Sequence, residues 1–334
     1  MKILAIETSC DETAAAVVSK SPKENYIKVL SNVVASSLAL HSKTGGIIPD
    51  VAAREQLKFI VPVIQKAIRD SKLKIENLDA IAITQGPGLI GSLLIGVETA
   101  KTLAYLWKKP IIPVNHLFGH IYANFVNPEN KIKFPALALL VSGGHTDLVL
   151  IKDHNNFEWL GGTRDDAAGE AFDKIGRLLN LAYPAGVAIE NLAKNGDEKA
   201  FNFPRPMIGS KDFDFSFSGL KAAVWRETKK IKQLRIKTVE DISACIQKSI
   251  IEVLIRKTLK AAKKYEVKSI LLGGGVAANQ KLRDEIKSKT EIKLFFPEKK
   301  LCTDNAVMIG AYAAFHPEEK SWNKISANPE LYFQ

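Results

Sequence analysis

LAIETSCDET, residues 4–13, and LALLVSGGHT, residues 137–146, are two copies of one pattern. At a shift of 133 they match Leu4 with Leu137, Ala5 with Ala138, Ser9 with Ser142 and Thr13 with Thr146, and both run on into apolar residues. In the first copy the short run Lys2 to Ile6 is apolar, Glu7 to Thr13 is a polar stretch, and Ala14 to Val18 is apolar again. That is a strand, a turn and a second strand. Its repetition predicts two similar halves, each opening with a hairpin.

Between the hairpins, Leu57, Ile60, Val61, Ile64 and Ile68 follow helical spacing, with Asp50 as the expected cap and Pro62 as a kink or restart. Ala80 to Thr84 reads as a buried strand, Gln85 to Gly91 as a glycine-proline loop, and Leu93, Leu94, Val97, Ala100, Ala104 and Trp107 as the inner face of a helix. After the second hairpin, Ala171, Phe172, Ile175, Leu178 and Leu179 mark one helix, and Ile242, Ile246, Ile250 and Val253 a longer one. Thr238 and Asp241 look like the latter's capping box. Ser269 to Leu272 is then a strand, Gly273 to Gly275 a turn, and Asn279 onward a charged amphipathic helix. Alternating strands and helices predict an α/β fold with mostly parallel sheets, its two halves sharing a cleft.

The chain has 334 residues, 46% hydrophobic and 25% charged, which excludes a disordered or collagen-like protein. Its 47 basic and 36 acidic residues give a net charge of +11 and favour polyanionic partners such as nucleic acid. Cys10, Cys245 and Cys302 form no CxxC pair, so a disulfide framework or cysteine-rich zinc site is not expected and a reducing cytoplasm is. No apolar run approaches the roughly 18–20 residues a membrane helix needs, and Glu7 arrives before a signal-peptide core forms.

His116-Leu-Phe-Gly-His120 places two imidazoles at i and i+4, on one face of a helix, where both can reach one metal. Leu117 stands where a zinc protease would carry its glutamate, which weakens a peptidase reading. The competing reading is two histidines that cap or pack at a strand end, near Asn115, Tyr122 and Asn124. Asp304 is a candidate third ligand, completing a set of two histidines and one carboxylate. Its local reading is an N-cap for the run Val307, Met308, Ala311 and Ala314.

Three loops after strands are glycine-rich: Gln85 to Gly91, Ser142 to Thr146 and Gly273 to Asn279. Each can bring backbone N–H groups to a phosphate, although none matches the P-loop or dinucleotide fingerprint. Asp166, Glu170 and Asp173 share one polar helix face, either solvated or turned to a substrate hydroxyl. Phe213, Phe215 and Phe217 alternate as one buried strand face would; with Arg205, Lys211 and Lys221 nearby, a nucleic-acid edge is the sharper alternative. The basic run Lys229, Lys230, Lys232, Arg235 and Lys237 is a solvated loop or a polyanion contact.

Taken in order, IETSCDET, QGPGLIGSLLIG, NHLFGH, LLVSGGHT, DDAAGEAFDK, FPRPM with FSFSGLK, GGGVAAN and CTDNAVMIG resemble the tRNA N6-adenosine threonylcarbamoyltransferase (TsaD) family, bacterial or organellar branch, over nearly the whole chain. The resemblance implies an actin-like ATPase fold, with residues 1–112 plus 301–334 as one domain and 113–300 as the other. It implies one divalent metal, iron(II) first and zinc second, on His116, His120 and Asp304. Leu140, Val141, Ser142, Gly143, Gly144, Asp173, Gly186, Glu190 and Asn279 would contact the substrate, threonylcarbamoyl-AMP. Asp11 and Glu12, in the first hairpin loop, are the candidates for orienting substrate or relaying protons. The implied reaction moves the threonylcarbamoyl group to the exocyclic amine of the adenosine 3′ of the anticodon, in tRNAs reading codons that begin with A, and releases AMP. Implied partners are tRNA, a smaller TsaB-like paralogue as heterodimer partner, a TsaE-like ATPase and the enzyme that makes the adenylate; no membrane is involved.

Ala185 stands where the family has glycine, Asp147 where glutamine is common and Glu190 where aspartate is frequent, which bears on contact geometry. An ATP-dependent sugar or acid kinase of the same fold class would use the glycine loops but leave the histidines without work. A metallopeptidase would use the histidines but lacks the glutamate, and an ATP-sensing scaffold would need neither metal nor turnover.

Overall fold

β1 (Lys2–Glu7) is buried from Ile3 to Glu7, as a strand flanked on both sides must be. It pairs antiparallel with β2 (Glu12–Ser19), which pairs antiparallel with β3 (Lys28–Ser36). The chain then forms α1 (Leu38–Thr44) and α2 (Pro49–Ser71), returns as β4 (Ala80–Gly86) parallel to β1, and continues through α3 (Ile90–Trp107) to β5 (Ile111–Asn115) and α4 (His116–Tyr122). The first sheet has the order β3-β2-β1-β4-β5.

The same path is walked again. β6 (Ala136–Val141), β7 (Thr146–Asp153) and β8 (Asn156–Gly162) are antiparallel neighbours. α5 (Ala168–Leu178), α6 (Gly186–Ala193), α7 (Ser218–Lys230) and α8 (Ile236–Lys264) lead to β9 (Ser269–Gly273), parallel to β6. α9 (Gln280–Ser288) and β10 (Lys293–Phe295) complete the order β10-β9-β6-β7-β8, which is the first sheet's order read from the other edge. The repeat extends to register: Leu4 faces Val17 in the first hairpin and Leu137 faces Leu150 in the second, each 133 residues on. The computed structural model describes residues 1–231 and 234–333, and the chain divides into Met1–Lys131 with Pro297–Gln334, and Ile132–Phe296. β5, which the boundary at 112 expected from the sequence would cut, lies wholly in the first unit with α4, because β5 is hydrogen-bonded to β4 and α4 follows it directly.

In the first unit Leu4, Ile6, Ala15 and Val17 point to a core shared with Ile60, Val63 and Ile64 of α2 and Val97 and Ala100 of α3. The other face of the pleat is covered by α10 (Ala306–Phe315), formed after Pro297 brings the chain back to this unit. α10 is apolar almost all round because it is covered by β1 and β2 and also by α4. The approach is close: a Cβ on Gly310 would lie 2.7 Å from Val18 Cγ2 and 3.2 Å from Ala5 Cβ. The second unit builds its core from Leu137, Leu139 and Val141 of β6 against α5 and α8.

Several local expectations are corrected. α2 starts at Pro49, with Ile48 as the cap position, and it runs through Pro62 without a break. Proline's fixed φ suits the first turn, so Asp50 is left inside it. α8 starts at Ile236, ahead of the expected box; Asp241 instead accepts from Asp197 N at 2.8 Å and pairs with Lys237. Phe213, Phe215 and Phe217 are buried as expected, but only Phe215 makes a bridge, to Thr163, so no strand forms; burial also removes these rings as base-stacking surfaces. Of the basic run, Lys229 and Lys230 close α7, Arg235 and Lys237 flank the start of α8, and Lys232 lies outside the described residues. Among the described residues, no helix is long and apolar enough to cross a membrane.

The Gly310 contact predicts that Gly310→Val lowers stability by about 1–3 kcal/mol through overpacking. In urea denaturation the pair Gly310→Val, Val18→Ala should lose less than the sum of the two single changes, since Val18 is what the new side chain meets.

Candidate metal centre and substrate loops

α4 begins where β5 ends. Asn115 caps it, its Oδ1 accepting from Leu117 N at 2.8 Å, and every residue of the helix is buried. Helical spacing then brings the rings of His116 and His120 together edge to face, with centroids 4.6 Å apart and planes at 82°. Asp304, in the turn before α10, brings Oδ1 to 3.2 Å from His120 Nε2 and 3.7 Å from His116 Nε2. One ligand atom from each of the three lies within 4.8 Å of the others. Asp304 is not the N-cap of α10: that position belongs to Asn305, whose Oδ1 accepts from Met308 N at 3.1 Å.

The donor set fits a divalent cation. Both ring nitrogens of His120 are buried, Nδ1 without a hydrogen-bond partner and Nε2 meeting only the Asp304 carboxylate at 3.2 Å, an arrangement that leaves an imidazole poorly satisfied unless something binds it. Burial lowers the His120 pKa, against the pull of Asp304, and so favours the neutral, ligating form. His116 is different: burial would lower its pKa, yet the carboxylates of Glu7 and Asp304 outweigh it and push it up to about 9. Its Nδ1 lies 3.1 Å from Glu7 Oε2 and 3.1 Å from Ser9 Oγ.

The loop between β1 and β2 adds more negative charge. Burial pushes the Asp11 carboxyl up and nearby Asp304 adds to the shift. Glu12 is pushed up to about 7 by burial, with Asp11 and Asp304 adding and a hydrogen bond from Ser36 Oγ opposing. Burial and the same neighbours hold the Cys10 thiol protonated, which removes it as a nucleophile. Asp304 beside the carboxyl groups of Asp11 and Glu12, each of whose pKa it raises, makes a site where a cation is favourable. Gln56, buried on α2, fixes the loop by donating from Nε2 to the carbonyls of Cys10 at 3.0 Å and Glu12 at 2.9 Å.

In the second unit, parallel β6 and β9 end side by side, and the glycine turns follow from their carboxyl ends. Leu140 and Val141 are buried in β6, Ser142 is half-buried, and Gly143 and Gly144 are exposed, with nothing within 4 Å of a Cβ on either. Gly274, at φ +88°, passes so close to Val141 O that a side chain would collide with it. Asp173 Oδ1 accepts from Ala185 N at 2.7 Å, and burial pushes this carboxyl's pKa up. Gly186, next along, opens α6 with open space beside it. Glu190 Oε1 accepts from Gln280 N at 2.8 Å, which ties α6 to the start of α9. Asn279 caps α9 through Oδ1 and donates from Nδ2 to Gln247 Oε1 at 2.9 Å. Asp166 and Glu170 are paired with Lys174, whereas Asp173 of that acidic face bonds the turn before α6. Of the departures from the family pattern, Asp147 is buried and accepts from the Trp159 indole at 3.0 Å, and Ala185 packs beside Gly176.

Glu7, Thr84 and Gln56 are structural members of this neighbourhood that the sequence reading did not single out. Glu7 is the first polar residue after an apolar strand, which reads as the start of a turn; the strand in fact includes it. Gln56 interrupts the apolar stripe of α2, a signal that only the loop above it explains.

A family model described as tRNA N6-adenosine threonylcarbamoyltransferase matches residues 28–311. A protein of that name from Syntrophomonas wolfei is 48% identical over 329 residues, 98% of this chain and 95% of the relative. Another, from Moorella thermoacetica, is 47% identical over 98% and 96%. Among solved structures, full-length HypF superposes with a TM-score of 0.63 at 12% identity, covering 96% of this chain and 47% of HypF. Component A of the (R)-2-hydroxyglutaryl-CoA dehydratase of Acidaminococcus fermentans does so with a TM-score of 0.52 at 16% identity, covering 95% of this chain and 98% of that one. At such identities the likeness speaks for the fold alone, the actin-like ATPase type that the family resemblance implied. With nearly half of all positions identical across almost the full length of both chains, this protein belongs to the tRNA N6-adenosine threonylcarbamoyltransferase family.

Proposed function

We propose that this enzyme transfers the threonylcarbamoyl group of threonylcarbamoyl-AMP to the exocyclic amine of the adenosine 3′ of the anticodon, in tRNAs reading codons that begin with A, and releases AMP. Family membership makes it a transferase, and nothing favours a kinase or a peptidase. The observation that carries the reading beyond the family name is the convergence of His116, His120 and Asp304 beside the acidic loop. These three hold one divalent metal, iron(II) or zinc. When bound, it supplies Lewis acidity toward a carbonyl and a fixed point of attachment.

The chain's own residues do the rest. The amides of Gly143 and Gly144 have room to approach the substrate phosphate, with Leu140, Val141 and Ser142 setting that turn on β6. Asp173 and Glu190 offer carboxylate oxygens to ribose hydroxyls, and Gly186 and Asn279 complete the walls. His116, His120 and Asp304 serve the threonylcarbamoyl end. The adenosine amine attacks the carbamoyl carbon, the carbon–oxygen bond to AMP breaks with its electron pair leaving on the phosphate, and the amine gives up a proton. Glu12, with a pKa near the working pH, is the acceptor, and Asp11 orients the substrate. The net charge of +11 serves docking of the tRNA backbone. A TsaB-like paralogue fits the exposed apolar residues Leu57 and Val61 of α2 and Ile90 and Leu94 of α3. A TsaE-like ATPase and the adenylate-forming enzyme complete a cytoplasmic pathway.

Supplied with synthetic threonylcarbamoyl-AMP, unmodified tRNA and its partner proteins, the native chain should form the modified adenosine, and a His116→Ala, His120→Ala variant should lose about 100-fold or more. No product from folded, metal-loaded native chain, where a known transferase works, overturns the reading. Glu12 acts as a base only when deprotonated, so the native rate should fall as pH drops below about 7. Glu12→Gln should be slower throughout and lack that limb in a pH–rate profile.

A further inference from the structure

We infer that Glu7 is a positioning residue for the metal centre: it holds the proton of His116 on Nδ1 and so presents Nε2 as the ligand atom. The inference rests on the metal reading above and adds to it a residue outside the ligand set.

Parallel pairing of β1 with β4, in which Ile6 is the register partner of Ile83, puts Glu7 beside Thr84. The Glu7 side chain is only 1% exposed, so its carboxylate needs donors on every side. Oε1 accepts from Ser9 N at 2.5 Å, and Oε2 accepts from the Thr84 hydroxyl at 2.5 Å. The remaining neighbour is His116 Nδ1, 3.1 Å from Oε2. A carboxylate can only accept, so this contact is favourable only with a proton on Nδ1. Ser9 Oγ, also 3.1 Å away, can then accept a share of the same proton. Nε2, on the far side of the ring and facing Asp304, is then the nitrogen at which a cation can take the place of a proton. Orientation of a ligating imidazole through its second nitrogen is what fixes both its rotamer and its basicity. The repeat makes the assignment specific to the first unit: 133 residues on, the corresponding position is Leu140, an apolar residue buried in β6.

Glu7→Gln keeps the volume but not the pattern. Its carbonyl oxygen must face Ser9 N, because an amide there would oppose a donor with a donor. The NH2 group then faces His116 Nδ1 and favours the opposite tautomer, with the proton on the nitrogen that should bind metal. The experiment is zinc competition against a chromophoric chelator on the full chain, native and E7Q, with circular dichroism to establish folding. Zinc affinity should fall about 10–100-fold in E7Q. The second measurement is made on the native protein loaded with zinc: 1H–15N spectra of the histidine rings should show a hydrogen-bonded Nδ1–H and a metal-bound Nε2 on His116. Native affinity in folded E7Q overturns the inference, and so does zinc on Nδ1 of His116. Should E7Q fail to fold, the ring spectra alone decide. A native chain that takes up no zinc or iron(II) sinks the metal reading and this inference with it, whereas equal binding by native and E7Q sinks only the latter.

Discussion

Gly119 lies between the two histidines, and its missing side chain lets α10 settle onto α4. A Cβ there would come within 2.9 Å of Ile309 Cδ1 and 3.4 Å of Met308 Cγ. That contact couples residues nearly 190 positions apart, because the turn before α10 carries Asp304 and α4 carries His116 and His120. On the other side of α10, Gly310 sits against Val18 and Ala5 of the first hairpin. One apolar helix, fixed at two glycines, thus sets the distance between a carboxylate from the end of the chain and a helix that follows β5. Close packing leaves little slack: an added methylene at either crossing must move the helix or its neighbours.

The duplicated units have diverged in what their strand ends carry. Both sheets share one strand order and one hairpin register. In the first unit the end of β1 bears Glu7, the turn after it bears Asp11 and the start of β2 bears Glu12, so this unit collects acidic groups and imidazoles. In the second the equivalent strand runs apolar to Val141 and opens into Gly143 and Gly144, which expose backbone N–H groups. The first arrangement is suited to a cation and the second to an anion. The same scaffold therefore offers complementary chemistry from its two copies.

Buried charge in the first unit is tolerated because it is held. Gln56 ties the backbone of the acidic loop to α2, Ser36 bonds Glu12, and Thr84 and Ser9 bond Glu7. Each of these partners comes from a different element, and each satisfies a group whose burial alone would be costly.

Sequence by itself determined what is periodic or contiguous. The alternation of strand and helix, the repeat at a shift of 133, the glycine turns and the two histidines one helical turn apart all follow from spacings of two, of about 3.6, or from exact recurrence along the chain. The candidate substrate residues came instead from the family resemblance of those strings, since spacing alone left each glycine loop open between a tight turn and a phosphate cradle. Tertiary structure alone decided that Asp304 is a partner of the histidines and Asn305 the helix cap, since local sequence allows either carboxylate or amide to start α10. It alone brought Glu7, Gln56 and Thr84 to the site, and it turned three alternating phenylalanines into a buried loop. These outcomes depend on which strands lie side by side and how closely helices cross, and the energy that chooses among them comes from packing between residues far apart in the chain, which no local pattern records.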